Sequence, residues 1–107
     1  MKYKVYIISN AEEDVLDIYR HVSLHDTEEK AKYLLDKIEN TCLSLEESPK
    51  RGHVPPELEQ IGVYNYREVH FKPYRIIYEI GESEVFIHCV LDEKRSLQEL
   101  LERRLLR

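Results

Sequence analysis

The chain has 107 residues and 12.9 kDa, enough for one α+β domain with its own core and too little for a second. Sixteen Lys and Arg against 21 Asp and Glu give a net charge of −5 and a pI near 5.5, which speaks against a protein that holds nucleic acid by bulk charge. No apolar run approaches the ~18 residues of a membrane span, and three Gly, four Pro and 42% hydrophobic residues do not describe a disordered chain.

Tyr3, Val5 and Ile7 alternate with Lys2, Lys4 and Tyr6, which predicts a strand. The acidic stretch Ser9-Asn10-Ala11-Glu12-Glu13-Asp14 that follows resembles a helix start and not a leader cleavage site, so a cytoplasmic protein is expected. Asn10 stands three residues before Glu13 in capping-box spacing, and Val15, Ile18, Tyr19 and Val22 continue at helical period. A second box at Asp26 and Glu29 predicts a helix of about 20 residues that carries Ala31, Leu34, Leu35, Ile38, Cys42 and Leu45 and stops near Ser48-Pro49. The break at Ser23–Asp26 suits a helical hairpin. Residues 50–62, with Pro55-Pro56 and two glycines, read as a loop.

The period then changes to two. Tyr66–Phe71, Tyr74–Ile80 and Val85–Leu91 are expected strands, joined by turns at Lys72-Pro73 and Gly81-Glu82-Ser83. Ser96 and Glu99 form a third box before an amphipathic helix bearing Leu97, Leu100, Leu101 and Leu105. The expected order is βααβββα over residues 1–107, with the helical hairpin packed on one face of a mostly antiparallel four-stranded sheet and a helix at the C-terminus. Cys42 and Cys89 sit in apolar periodic segments and read as buried free thiols.

Charge is unevenly placed. Residues 1–62 hold 8 basic and 13 acidic side chains, residues 63–107 hold 8 of each, and Lys94, Arg95, Arg103, Arg104 and Arg107 make the last stretch locally basic. In the strand Tyr74–Ile80 the residues Tyr74, Ile76, Tyr78 and Ile80 share one face, so Arg75 projects from the other beside Ile77 and Glu79. In the last strand, alternation groups Val85, Ile87, Cys89 and Leu91. Arg75 and the pair Lys94-Arg95 could then converge on a helix-free face of the sheet, where guanidinium forks suit phosphate or carboxylate. The plain alternative is a surface ion pair of Arg75 with Glu79 or of Arg67 with Glu68. Aromatic residues on both sides of its strand leave the face of Arg67 open.

The histidines His21, His25, His53, His70 and His88 are dispersed. Only His21 and His25 have i,i+4 spacing, so no metal site is expected. His70 and His88, on strands that could be neighbours, are candidates for proton transfer, with an ordinary hydrogen-bonded strand histidine as the commoner role.

The run Tyr66-Arg67-Glu68-Val69-His70-Phe71-Lys72-Pro73-Tyr74-Arg75-Ile76-Ile77-Tyr78-Glu79-Ile80, with its continuation Val85 to Arg95, resembles the central hairpin of the RelE/ParE toxin superfamily. The element order agrees along the whole chain, and Pro-Tyr-Arg-Ile-Ile-Tyr is the most specific part. This resemblance implies the toxin of a type II toxin–antitoxin (plasmid stabilisation) pair, partnered by a small antitoxin and needing no cofactor. For the RelE branch it implies a ribosome-dependent mRNA endoribonuclease, with Arg67, Arg75, Lys94 and Arg95 as the basic groups around the scissile phosphate and His88 as a compensating acid–base. The ParE branch implies a protein that poisons DNA gyrase. The chain has no tyrosine after Tyr78 and carries Asp92 where many relatives have histidine, which favours the ParE-like branch. The stripe Leu97, Leu100, Leu101 and Leu105 is expected to cover the chain's own sheet, close to where the antitoxin binds.

Overall fold

The computed structural model of the protein describes residues 2–95 and 97–104, the side chain of Leu101 excepted. Its elements are β1 (Lys4–Ile7), α1 (Ser9–His25), α2 (Glu28–Leu43), two 3-10 turns (Ser44–Glu46 and Pro49–Arg51), the short α3 (Pro56–Glu59), β2 (Arg67–Phe71), β3 (Tyr74–Ile80), β4 (Glu84–Asp92) and α4 (Leu97–Arg104). The sheet order is β1-β4-β3-β2, with β1 parallel to β4 and the other pairings antiparallel. The expected α+β order is present, with α3 as an addition inside the loop.

The first two helix starts differ from the expected boxes because tertiary contacts set them; Ser96 of the third box lies outside the described residues. Ile8 donates its N–H to the Ile87 carbonyl at 3.2 Å, holding the chain end of β1 on β4, and its own carbonyl accepts from Glu12 at 2.9 Å. The first turn therefore opens at Ser9 with no side-chain cap, and Asn10 lies inside the helix. α1 continues to His25, and Asp26 closes it through an N–H to the Val22 carbonyl. The cap of α2 is Thr27, whose Oγ1 accepts from the Lys30 N–H at 3.1 Å, while Asp26 contributes its carboxylate to Lys30 Nζ at 3.0 Å. The α-helix stops at Leu43, and a 3-10 turn carries Leu45 into the core.

Two cores flank the sheet. Ala11 and Val15 of α1 and Ile38 and Cys42 of α2 pack on Ile76, Tyr78, Val85 and Ile87. On the reverse face Leu58 of α3 and Leu97 and Leu100 of α4 pack on Tyr66, Ile77, Cys89 and Leu91. The second face is thus covered, contrary to the expected helix-free surface. Leu97 and Leu100 are buried there, as the default reading of the leucine stripe has it; Leu105 and the Leu101 side chain lie outside the described residues.

The two-core arrangement depends on a bulge. Ile77 pairs with Cys89 but Tyr78 pairs with Ile87, so His88 is the extra residue of β4. Alternation shifts there: Val85 and Ile87 face α1 and α2, whereas Cys89 and Leu91 face α4. Both cysteines are buried free thiols, with burial pushing Cys42 up to about 12 and Cys89 up to about 11.

The C-terminal helix is tied down by charge as well. Asp14, 7% exposed, accepts two hydrogen bonds from the Arg104 guanidinium, both at 2.8 Å, and a third from the Val90 N–H at 3.0 Å. One carboxylate thereby links α1, β4 and α4. Its hydrogen bonds raise the Arg104 guanidinium above its ordinary value against the opposing effect of burial.

Candidate functional site

The site grows from a loop pressed onto the edge of β2. The Tyr78 hydroxyl, fully buried, donates to the Pro49 carbonyl at 2.6 Å and accepts from the Gly52 N–H at 3.1 Å. Arg67 Nη1 donates to the Gly52 carbonyl at 2.7 Å and to the Lys50 carbonyl at 3.3 Å. A Cβ at Gly52 would stand 2.5 Å from both the Glu68 carbonyl oxygen and the Tyr78 hydroxyl, so this approach requires glycine. The next residue, His53, forms a two-way backbone bridge with Glu68, its N–H donating at 3.2 Å and its carbonyl accepting at 2.7 Å. Pro55 and Pro56 then turn the chain into α3, which carries Glu57.

These contacts set Glu57 and Glu68 on either side of Arg75. Arg75 Nε donates to Glu68 Oε1 at 2.7 Å and Nη2 to Glu68 Oε2 at 3.2 Å. Nη1 and Nη2 donate to the two Glu57 oxygens at 2.6 and 3.0 Å. Arg75 is 8% and Glu68 2% exposed, so the pairing is held largely out of water. Burial works against the charge of Arg75, but its hydrogen bonds to Glu57 and Glu68 outweigh this and raise it above the ordinary arginine value. The same hydrogen bond from Arg75 pulls the Glu57 carboxyl below its ordinary value of 4.5.

Two histidines complete the cluster. His70 Nε2 lies 2.9 Å from Glu68 Oε1 and its Nδ1 lies 3.3 Å from Glu93 Oε1. His53 Nε2 lies 3.3 Å from Glu68 Oε2, and the two imidazole rings stack with centroids 5.8 Å apart. Together with Pro56 these side chains line a surface cleft of about 360 Å³.

The five residues considered for phosphate chemistry do not share one site. Arg67 pairs opposite Tyr78, on the α1–α2 side, and is engaged by loop carbonyls. Arg75 projects from the opposite face, as alternation indicates, but between Glu57 and Glu68 and not with Glu79. Glu79 accepts instead from Asn65 and meets His88 Nε2 at 3.1 Å. His88 stands edge-on to Tyr66, with Nδ1 buried and unpartnered among the described residues, and β3 separates its strand from that of His70. Lys94 and Arg95 are exposed in the turn after β4, whose backbone is held by Asp92. Arg95 lines another cleft, with Asp14, Asp17 and Asp92.

Glu57 and Glu93 were not singled out by the sequence, His53 entered only as one of the dispersed histidines, and Glu68 only as a partner for Arg67, whereas it pairs with Arg75. Glu68 and His70 share a strand face by alternation, which is visible in the linear pattern. Nothing linear brings His53 or Glu57 to them, because the hydroxyl of Tyr78 and the close approach at Gly52 make that connection.

Among the described residues no helix is long and apolar enough to cross a membrane. No curated protein matches the sequence. In solved structures, a chain of the chromosomal ParDE TA system from P. aeruginosa is similar at TM-score 0.71 and 18% identity, over 85% of this chain and 96% of that one. A chain of the toxin–antitoxin complex RelBE2 from Mycobacterium tuberculosis is similar at TM-score 0.62 and 18% identity, over 86% and 92%. At these identities the likeness is one of fold. The family model described as the ParE toxin of the type II toxin–antitoxin system parDE matches residues 5–97, from β1 to the first residue of α4; the chain belongs to the ParE toxin family.

Proposed function

We propose that the protein is the growth-inhibiting toxin of a type II toxin–antitoxin pair, neutralised by a small cognate antitoxin, and that its target is DNA gyrase. The observation that carries the choice of target is the state of Arg75. A guanidinium that is to hold a scissile phosphate needs free N–H groups and a site of positive potential. Here all four strong hydrogen bonds of Arg75 go to Glu57 and Glu68, and Glu93 adds a further carboxylate on the far side of His70. A phosphodiester entering this cleft meets more negative charge than positive. Arg67 and Arg95 stand elsewhere, and among the described residues no second Lys or Arg lines this cleft.

Gyrase inhibition is instead a matter of surface contact with a protein, which an acidic molecule of net charge −5 can make as readily as a basic one. In a supercoiling assay with purified components the protein should inhibit gyrase when in molar excess. Primer extension on total mRNA after induction of the lone gene should show no new cleavage ends. Undisturbed supercoiling together with ribosome-dependent cleavage ends would overturn the proposal in favour of the endoribonuclease reading. Normal colony counts after induction would remove toxicity altogether.

A further inference from the structure

We propose that His53, Glu68 and His70 form a binding site for a zinc-class divalent cation that clips the loop at residues 52–56 to the edge of β2. This rests on the geometry of the cluster and stands whether or not gyrase is the target.

The candidate ligand atoms, one from each residue, all lie within 4.8 Å of one another. Glu68 Oε1 is 2.9 Å from His70 Nε2, and Glu68 Oε2 is 3.3 Å from His53 Nε2. With zinc bonds of about 2.0–2.1 Å, neighbouring ligands of a tetrahedral site stand roughly 3.3 Å apart, close to these two carboxylate–imidazole distances, and the ligand atoms within 4.8 Å of one another need to close by at most about 1.5 Å. Two imidazole nitrogens and one carboxylate form a donor set that favours zinc or its transition-metal analogues over magnesium or calcium.

Three further features point to a cation there. His70 faces a carboxylate through each ring nitrogen, Glu68 on one side and Glu93 on the other. With Nδ1–H directed to Glu93, Nε2 can ligate a metal shared with the Glu68 carboxylate. The Glu93 contact is also the outer carboxylate–histidine pairing that orients metal-bound imidazoles. Finally, Glu57, Glu68 and Glu93 outnumber Arg75, leaving two negative charges when both imidazoles are neutral. A divalent cation balances them. In this arrangement Arg75 is a positioning residue, fixing the Glu68 carboxylate from behind through Nε and Nη2.

The side chain of His53 is 63% exposed, so its replacement leaves the sheet intact and isolates ligation from folding. Untagged, chelator-treated protein is titrated with zinc chloride by calorimetry, and thermal unfolding is followed with and without zinc. Wild type should bind one zinc and unfold at higher temperature in its presence. His53→Ala should weaken that binding by at least 100-fold, and Glu93→Gln by about 10- to 100-fold, the usual effect of losing an outer-sphere partner. His21→Ala controls for the other close imidazole pair, His21 and His25, whose centroids are 4.4 Å apart, and should change nothing. Cobalt(II) in place of zinc should give the intense visible band of a tetrahedral site, lost in His53→Ala. Absence of zinc binding in the wild type, binding that survives His53→Ala, or binding lost in His21→Ala would each overturn the assignment.

Discussion

Arg75 donates to four carboxylate oxygens, and which of its partners can be removed without collapse depends on exposure. Glu68 is 2% exposed, so deleting Arg75 leaves its carboxylate buried without a cation, and deleting Glu68 leaves the buried Arg75 with Glu57 alone. The Glu57 side chain is 36% exposed and can be neutralised more gently. Glu57→Gln should lower stability at neutral pH by about 1 kcal/mol, roughly 4–8 °C in Tm for a domain of this size, once solvent screening is allowed for. The pH dependence follows from the sign of the shift. The folded-state carboxyl lies below its ordinary value of 4.5, so its contribution is full above that value and disappears as pH falls through the folded value. The Tm difference between wild type and Glu57→Gln should therefore be constant near neutrality and close progressively below pH 4.5. Thermal melts across that range check it, and a gap that widens on acidification would show that Glu57 is not the ionised partner of Arg75.

Among the elements, α4 is held on the sheet by two kinds of contact that can be separated. Leu97 and Leu100 bury apolar surface against Ile77, Cys89 and Leu91, while Arg104 clasps Asp14. Asp14→Ala removes the acceptor for both Arg104 and the buried Val90 N–H, and should cost about 2–4 kcal/mol. Arg104→Ala leaves Asp14 its bond to Val90 and should cost less, about 1–3 kcal/mol. Hydrogen exchange should report faster opening of α4 in both, with the β4 amide of Val90 affected mainly by Asp14→Ala. This linkage was not legible in the sequence, where Asp14 is one acid in an acidic helix and its partner lies ninety residues away. The strands were legible, because period-two alternation is a local property and Tyr74–Ile80 obeys it throughout. Alternation failed only at His88, where one extra residue reverses the facing of everything beyond it. The side of Arg67 was hidden for a related reason: aromatic residues flank it on both faces, and its pairing opposite Tyr78 is a tertiary fact. The first two helix caps were missed, by two residues at Asn10 and by one at Asp26, because Ile8 is fixed by β4 and Asp26 is occupied in closing α1.

At the scale of the whole molecule, three of the arginines that a linear count calls basic are spent internally. Residues 63–107 balance 8 basic against 8 acidic side chains, yet Arg67 is engaged by loop carbonyls, Arg75 by Glu57 and Glu68, and Arg104 by Asp14. The exposed cations that remain on this half, such as Lys72, Lys94, Arg95 and Arg103, belong to a molecule whose helical hairpin is strongly acidic. The net field at long range is negative, and it opposes the approach of a polyanion. This gives a quantitative expectation for RNA. Each phosphate neutralised contributes about −0.7 to the slope of log K against log salt for a single strand, so engagement by no more than two or three side chains gives a slope no steeper than about −2. Fluorescence anisotropy with a short single-stranded RNA at several salt concentrations measures it directly. Weak binding with a shallow slope agrees with a protein target. A slope of about −4 or steeper would mean that five or more phosphates are neutralised together. That exceeds the four exposed cations named on this half, and the release of Arg75 from Glu57 and Glu68 would supply a further one; the acidic cleft around Arg75 would then be a closed state of a nuclease.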